Sequence, residues 1–446
     1  MIWKLRLLCG VAGLLTLQLP SCNFTASIET MLRPPRLTAE QEQIYQALQA
    51  AAGSQISLKY PKSGERLSAF TVEDLDGDGA DEAIVFYEAG RSSTEENPLR
   101  VCLLNQQDGK WRAVAEYPTA GAEIERVDIA RLGTNARTNL IIRYSLVESA
   151  EHAAAVYHYA DGVLTQTLSV NYSMMALRDL NQDGTVEIFA TSAAKAPTPA
   201  MATVYALDES GNYVQSQLNL PDAFADVTRV AYGTLPTWDG NAVPAIYLDG
   251  MTSATTAQTA VLTYNDQLLS VVYTDAADLF PNTVRPAGCQ TMDIDGDGEL
   301  EIPVNSVFYG YSNAAEASPL NMTNWYSVRN GLLIRDYSSY YAMQDGYIFV
   351  IPERWEKRVT AVQENEEIVF YEISANEQTE EGGPVLQDML LRLAVVNDPI
   401  AADAMQSEGY LLLCCQNGNY YMGAIQNTGS RMQLSESELL FAVQVL

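Results

Sequence analysis

Histidine is nearly absent: the 446 residues contain two, His152 and His158. Neither stands in an H-E-x-x-H or comparable zinc spacing, so the familiar catalytic-zinc patterns are excluded. His158 alternates with Tyr157 and Tyr159, the pattern of a strand side chain rather than of a general base. No G-x-S-x-G nucleophile elbow and no glycine-rich phosphate loop occurs. Positive charge is scarce too. Lys and Arg number 26 against 56 Asp and Glu, a formal net charge of −30. That balance argues against nucleic acid or an anionic membrane face as the main partner, since both are gripped by clustered Lys and Arg. Paired carboxylates, the tools of glycoside hydrolysis, are spread throughout so acidic a chain and single out no site. Long apolar runs are missing as well. The stretch 7–17 falls short of the roughly 20 residues that a membrane-spanning helix requires.

What is present begins at the N-terminus. Lys4 and Arg6 precede that apolar stretch, which ends at Leu19-Pro20-Ser21-Cys22. Charge, length and flanks are those of a secretory signal, and the closing tetrapeptide resembles the bacterial lipoprotein lipobox. The resemblance implies cleavage after residue 21, lipidation of Cys22, and an exported chain anchored to the membrane at the cell envelope. An ordinary signal peptide is the alternative. Loss of residues 1–21 removes two positive charges, taking −30 to −32. Four thiols then remain besides Cys22: Cys102, Cys289, Cys414 and Cys415. They show no zinc spacing and read as small buried hydrophobes, although an exported protein could pair Cys102 with Cys289. Hydrophobic residues at 47% of the full sequence place the chain among globular proteins.

The strongest signal occurs three times, starting at Asp74, Asp179 and Asp293, and reads D-x-[DN]-x-D-G-x-x-E. Calcium takes six to eight oxygens, and positions 1, 3 and 5 of a tightly curled loop supply them. Gly at position 6 permits the turn, position 7 offers a carbonyl, and position 9 adds a carboxylate. An EF-hand would need Glu at position 12, where this chain has Val85, Ala190 and Val304. Strand-like residues follow each loop. The loops therefore resemble those of FG-GAP, or VCBS, repeats in integrin-α-type propellers. The resemblance implies up to three structural Ca2+ ions. Their ligands are Asp74, Asp76, Asp78, Ala80 and Glu82; Asp179, Asn181, Asp183, Thr185 and Glu187; and Asp293, Asp295, Asp297, Glu299 and Glu301. The bland alternative is Asp/Gly-rich turns that bind nothing.

The loops are 105 and 114 residues apart, too long for one blade and suited to two. Metal-free units are expected near the midpoints, at 127–142 and 230–248. Hairpin signals recur near 105–109, 157–164, 205–213, 262–268 and 325–332. The expected architecture is mainly β: a propeller of about five four-stranded blades over 66–339, then a smaller α+β domain over 340–446. Residues 22–36 read as a tether and 37–65 as a helix and strand. Thr38 with Gln41 forms a capping box, and Gly53 is the stop. In the C-terminal segment, Asp398-Pro399 and Ser435 with Glu438 open helices, the second running to the C-terminus.

One further feature is an aromatic insertion at 307–326. Tyr309, Tyr311, Trp325 and Tyr326 are candidates for stacking on a glycan or contacting an envelope or extracellular protein; the same residues also fit as strand ends in a core. The functional expectation is a non-catalytic extracytoplasmic binding or scaffolding protein. The alternative is a surface enzyme acting on polysaccharide, with the propeller as scaffold.

Overall fold

The computed structural model describes residues 37–53, 55–89, 98–119, 121–133, 137–146, 151–236, 241–275, 282–311, 320–380 and 382–446. The expected signal segment, Cys22, the expected tether and positions 312–319 of the aromatic insertion lie outside them.

The chain is mainly β, built from consecutive antiparallel sheets. Sheet 1 holds β1 (Ile56–Leu58), β2 (Phe70–Glu73), β3 (Glu82–Ala89), β4 (Leu99–Gln107) and β5 (Lys110–Pro118). Sheet 2 holds β6 (Glu123–Leu132), β7 (Arg137–Ser145), β8 (His152–Ala160) and β9 (Val163–Tyr172). Sheet 3 holds β10 (Met174–Arg178), β11 (Glu187–Ser192), β12 (Met201–Leu207) and β13 (Tyr213–Asn219). Sheet 4 holds β14 (Asp226–Pro236), β15 (Ala242–Met251), β16 (Thr256–Asn265) and β17 (Leu268–Tyr273), with the short β18 (Arg285–Pro286) on β16. Sheet 5 runs β19 (Ile302–Val307), β20 (Asn321–Arg329), β21 (Leu332–Ala342), β22 (Tyr347–Val350).

All five expected hairpins are present. Four close on two left-handed residues: Asp108–Gly109, Asp161–Gly162, Asp266–Gln267 and Asn330–Gly331. That is the backbone a tight hairpin requires, and Asn, Asp and Gly tolerate it best. The fifth closes through Asp208, whose side chain accepts from the amides of Ser210 and Asn212.

Each sheet packs on the next. Strand β3 shows why its sequence is continuously apolar. Ile84 and Phe86 face sheet 2, while Ala83, Val85 and Tyr87 face the opposite way. Successive strand residues alternate in direction, so a strand covered on both sides must be apolar at every position. On that opposite side lies helix α1 (Ala39–Ala52), which buries Ile44 and Leu48. Its N-terminus is the Thr38–Gln41 capping box, and Gly53 ends it. Helix α1 therefore packs against sheet 1. Further clusters join sheet 2 to sheet 3, sheet 3 to sheet 4, and sheet 4 to sheet 5. Among the described residues, no buried cluster joins sheet 1 to sheet 5.

The outer face of sheet 5 is covered by sheet 6: β23 (Val359–Glu364), β24 (Glu367–Gln378), β25 (Pro384–Val396), β26 (Leu411–Gln416) and β27 (Asn419–Ile425). Helix α2 (Pro399–Ser407) lies on the far side of sheet 6, capped by Asp398 with Pro399 in its first turn. Helix α3 (Glu436–Ala442) starts at the Ser435–Glu438 capping box.

Three expectations change. The terminal helix stops at Ala442, and β28 (Val443–Val445) returns to pair with β22. Sheet 5 is thus finished by two strands from the segment assigned to the C-terminal domain, and β21 itself runs through the expected boundary at 339/340. Apolar alternation at 443–445 is too short to separate a strand from a helix end. The first strand expected of the fifth unit shrinks to one bridge, Met292 with Glu301. Finally, Cys102 and Cys289 are buried free thiols, and Cys415 is exposed rather than a buried hydrophobe.

Candidate metal centres

The three Asp loops occupy equivalent places. The residue before each loop pairs across the sheet with the position-9 glutamate: Glu73 with Glu82, Arg178 with Glu187, and Met292 with Glu301. Their internal hydrogen bonds repeat. The first aspartate organises the turn: Asp74 accepts from the amides of Gly77 (2.7 Å), Asp78 (3.2 Å) and Gly79 (3.0 Å). Asp179 accepts from Asp183 and Gly184, and Asp293 from Gly296 and Gly298. The position-7 amide donates to the position-5 carboxylate in every loop, at 2.7 Å in the first and 2.8 Å in the other two. The glutamate closes each loop by accepting from the amide of position 2: Leu75, Leu180 and Ile294, at 2.9, 2.9 and 3.0 Å.

These bonds draw negative charge together. The carboxylate oxygens of Asp74, Asp76 and Asp78 lie within 4.8 Å of one another, as do those of Asp293, Asp295 and Asp297. In the middle loop Asn181 replaces one acid, and its amide donates to Asp183 at 2.8 Å. Beneath them the glutamates are almost fully buried, with 4, 3 and 2% exposure for Glu82, Glu187 and Glu301. Burial, aided by the neighbouring aspartates, pushes Glu82 up to about 7 and Glu301 up to about 8, and it raises Glu187. A buried carboxylate beside three more calls for a cation or a proton. The donors are all oxygen, which suits a hard cation such as calcium. One oxygen of Glu82 and of Glu301 is taken by an amide.

The third loop carries additions that its nine-residue pattern does not reveal. Asp336 of β21 is among the charges raising Glu301. Arg329 lies 3.6 Å from Glu299 and 3.8 Å from Asp336. The only cue in sequence is the Arg329–Asp336 hairpin spacing, which does not point at a loop some 30 residues earlier. In the middle loop the Thr185 hydroxyl donates to Asp183 (2.5 Å) and lies 3.1 Å from a Glu187 oxygen, a side-chain role beyond the expected carbonyl.

The aromatic candidates separate. Trp325 is fully buried, packs with Ile294 and Ile348, and donates its indole N–H to Ser339 Oγ at 2.8 Å. It is therefore core and is withdrawn as a ligand contact: strand alternation turns it inward, away from Tyr326. Tyr326 is half-buried, as are Tyr309 and Tyr311, which lean on the core between sheets 5 and 6. Tyr309 also borders a cleft of about 500 Å³ with Lys357, Ile373 and Gln378. His158 is a strand residue of β8, as expected.

No protein-family model matches the chain, and no curated protein does. Solved structures match at low similarity. Bacillus licheniformis rhamnogalacturonan lyase PL11 is 12% identical with a TM-score of 0.30, covering 75% of this chain and 77% of its own. The exotype rhamnogalacturonan lyase YesX is 11% identical with a TM-score of 0.30, covering 74% and 75%. A protein from Lactobacillus plantarum is 14% identical with a TM-score of 0.26, covering 73% and 85%.

Proposed function

We propose that this chain is an exported, lipid-anchored binding or scaffolding protein of the bacterial cell envelope, and that structural calcium holds its β-sheet array. Its partner is a glycan or another envelope or extracellular protein. The observation that carries the calcium reading is the threefold repetition of one loop, with the same amide bonds and the same buried glutamate. Asp/Gly turns that bind nothing have no need to bury a carboxylate under two or three others. The holding residues are Asp74, Asp76, Asp78 and Glu82, with their counterparts in the other loops and the carbonyls at Ala80, Thr185 and Glu299. Extracellular calcium modules work at dissociation constants of about 10⁻⁴–10⁻³ M, so the loops fill outside the cell.

Sheets 1 to 5 are blades of propeller type in this reading. Support comes from their sequential strand order and from their face-to-face stacking. Helix α1 and sheet 6 cover the two outer faces of the stack.

Calorimetric titration of the chelated protein tests the metal assignment. Wild type takes up three Ca2+ per chain and Asp76→Ala takes up two. Absence of binding to either protein overturns the assignment. The anchor is tested separately in growing cells. Labelled palmitate enters the wild-type chain and not Cys22→Ser, and equal labelling of the two removes the lipidation proposal.

A further inference from the structure

The three Asp loops sit where the first strand of a sheet turns into the second. Sheet 2 has no such loop. At the other end of its strands, about 30 Å away for a ten-residue strand, lies a pocket of about 320 Å³. It gathers the start of β6, the end of β7, the start of β8 and the end of β9, with residues 62–63 and the start of β10 as its rim.

Its composition stands apart from the rest of the chain. The protein has 26 Lys and Arg and two His, and Lys62, Arg126, Arg143 and His152 all line this one pocket. The cations are fixed in place. Arg126 Nε donates to Asp128 Oδ1 at 2.7 Å, and Arg143 meets the other oxygen of that carboxylate at 3.0 Å. Arg143 also donates to the Met175 carbonyl at 3.0 Å. Its side chain is 12% exposed, and its Nε is buried with no hydrogen-bond partner among the described residues. The 62–64 segment clamps Arg126 from outside. Ser63 donates its amide and its hydroxyl to the Glu125 carbonyl, and Ser63 bridges to Arg126. Gly64 has φ +89°, and a Cβ there would stand 3.0 Å from Arg126 Cγ. The backbone therefore lies directly on the arginine stem. His152 is 2.8 Å from Glu125 and stacks on Tyr172 with centroids 5.4 Å apart. Lys62 pairs with Glu123 at the rim.

Asp128 and Glu125 position Arg126 and His152 without covering them, because the Arg126 side chain is 41% exposed and that of His152 34%. A guanidinium held by its Nε presents its outer nitrogens in a planar fork, the geometry that grips a carboxylate or phosphate in two bonds. Tyr172 and Met174 supply an apolar wall for the body of such a molecule. The volume is at the lower end of small-ligand pockets.

We propose that this pocket binds the oxyanion of a small molecule, with Arg126 and Lys62 as the gripping groups and Arg143 and His152 as their support. The rest of a protein of charge −30 repels anions, so binding is confined to this place and weakens with salt.

The test uses the calcium-loaded full chain, titrated calorimetrically with inorganic phosphate, glucuronate, and glucose as the uncharged match. Phosphate or glucuronate binds, and glucose does not. Phosphate alone identifies an inorganic oxyanion as the source, and glucuronate alone identifies a sugar carboxylate. Arg126→Gln weakens binding by about 10- to 100-fold, the size of one charged hydrogen bond. Lys62→Ala, a change at an exposed rim residue, weakens it too, with an unchanged melting temperature. Affinity falls between about 0.01 M and about 0.1 M salt, as screening shortens from about 30 Å to about 10 Å. The proposal is overturned if neither anion binds, if glucose binds as well as glucuronate, or if Arg126→Gln binds like wild type. Such a failure leaves the calcium reading intact, since the loops lie at the far end of the strands.

Discussion

At pH 8, about 10 mM Ca2+ stabilises the chelated protein by about 2.7 kcal/mol per loop, about 8 kcal/mol for three, if each dissociation constant is about 10⁻⁴ M. The melting temperature rises by on the order of 10 °C. The effect depends on pH, and its sign follows from the glutamates. Without metal, Glu82 titrates at about 7 and Glu301 at about 8, and Glu187 is raised as well. In the unfolded chain all three sit near 4.5. Between those values the folded state holds protons that the unfolded state has lost. The metal-free protein is therefore most stable, as far as these groups go, below about pH 4.5, and it loses that stability as pH rises through about 7 and 8. Calcium takes the place of the protons, so its affinity climbs across the same window and binding releases them. Scanning calorimetry from pH 5 to pH 8, with calcium and with chelator, separates the two curves increasingly toward pH 8. Superimposable melts at pH 8 would show that the loops bind no calcium.

Asp249→Ala is expected to cost about 3–5 kcal/mol, the usual loss when one partner of a buried ion pair is removed. Arg285 has a side chain with 0% exposure, and its Nη2 donates to Asp249 Oδ1 at 2.6 Å. The carboxylate also accepts from the Thr259 hydroxyl (2.8 Å), the Thr291 hydroxyl (2.7 Å) and the Thr291 amide (3.0 Å). Truncation strands a buried guanidinium and an amide together. The same network ties β15, β16 and β18 to Thr291, two residues before the third Asp loop. The variant should therefore also weaken calcium at that loop and leave the first loop unchanged. The double change Asp249→Ala with Arg285→Met recovers part of the loss, because no unpaired charge is left behind. Urea unfolding measures each step. A loss below about 1 kcal/mol for the single variant would mean that water reaches the guanidinium.

Much of the plan is legible in the order of the residues. Each Asp loop carries its donors within nine consecutive residues, so the chemistry is written locally. The hairpins can be read because a left-handed pair such as Asp108–Gly109 needs particular residue types. The capping boxes at Thr38 and Ser435 are equally local. Strand β28 cannot be read, since three residues of alternation are ambiguous until β22 offers an edge. Trp325 escapes a linear reading for a related reason. An aromatic in a strand points to one face or the other, and only the packing of Ile294 and Ile348 says which face is buried.

Local order is what this sequence determined alone: the loops and their oxygen donors, the hairpin turns and the helix starts. These are set by backbone conformation and by neighbours within a few residues, which a linear chain displays. Tertiary structure decided which distant groups meet. It buried Arg285 against Asp249, 36 residues apart, and it brought Lys62 within one pocket of His152. It also placed α1 and sheet 6 on the outer faces of the stack. Such meetings depend on how whole sheets stack, and that is settled by summed burial over many residues rather than by any short pattern. The scarcity of histidine and of positive charge excludes functions when read as composition. Folded, one of the two histidines and three of the 26 basic residues stand together around a single cavity.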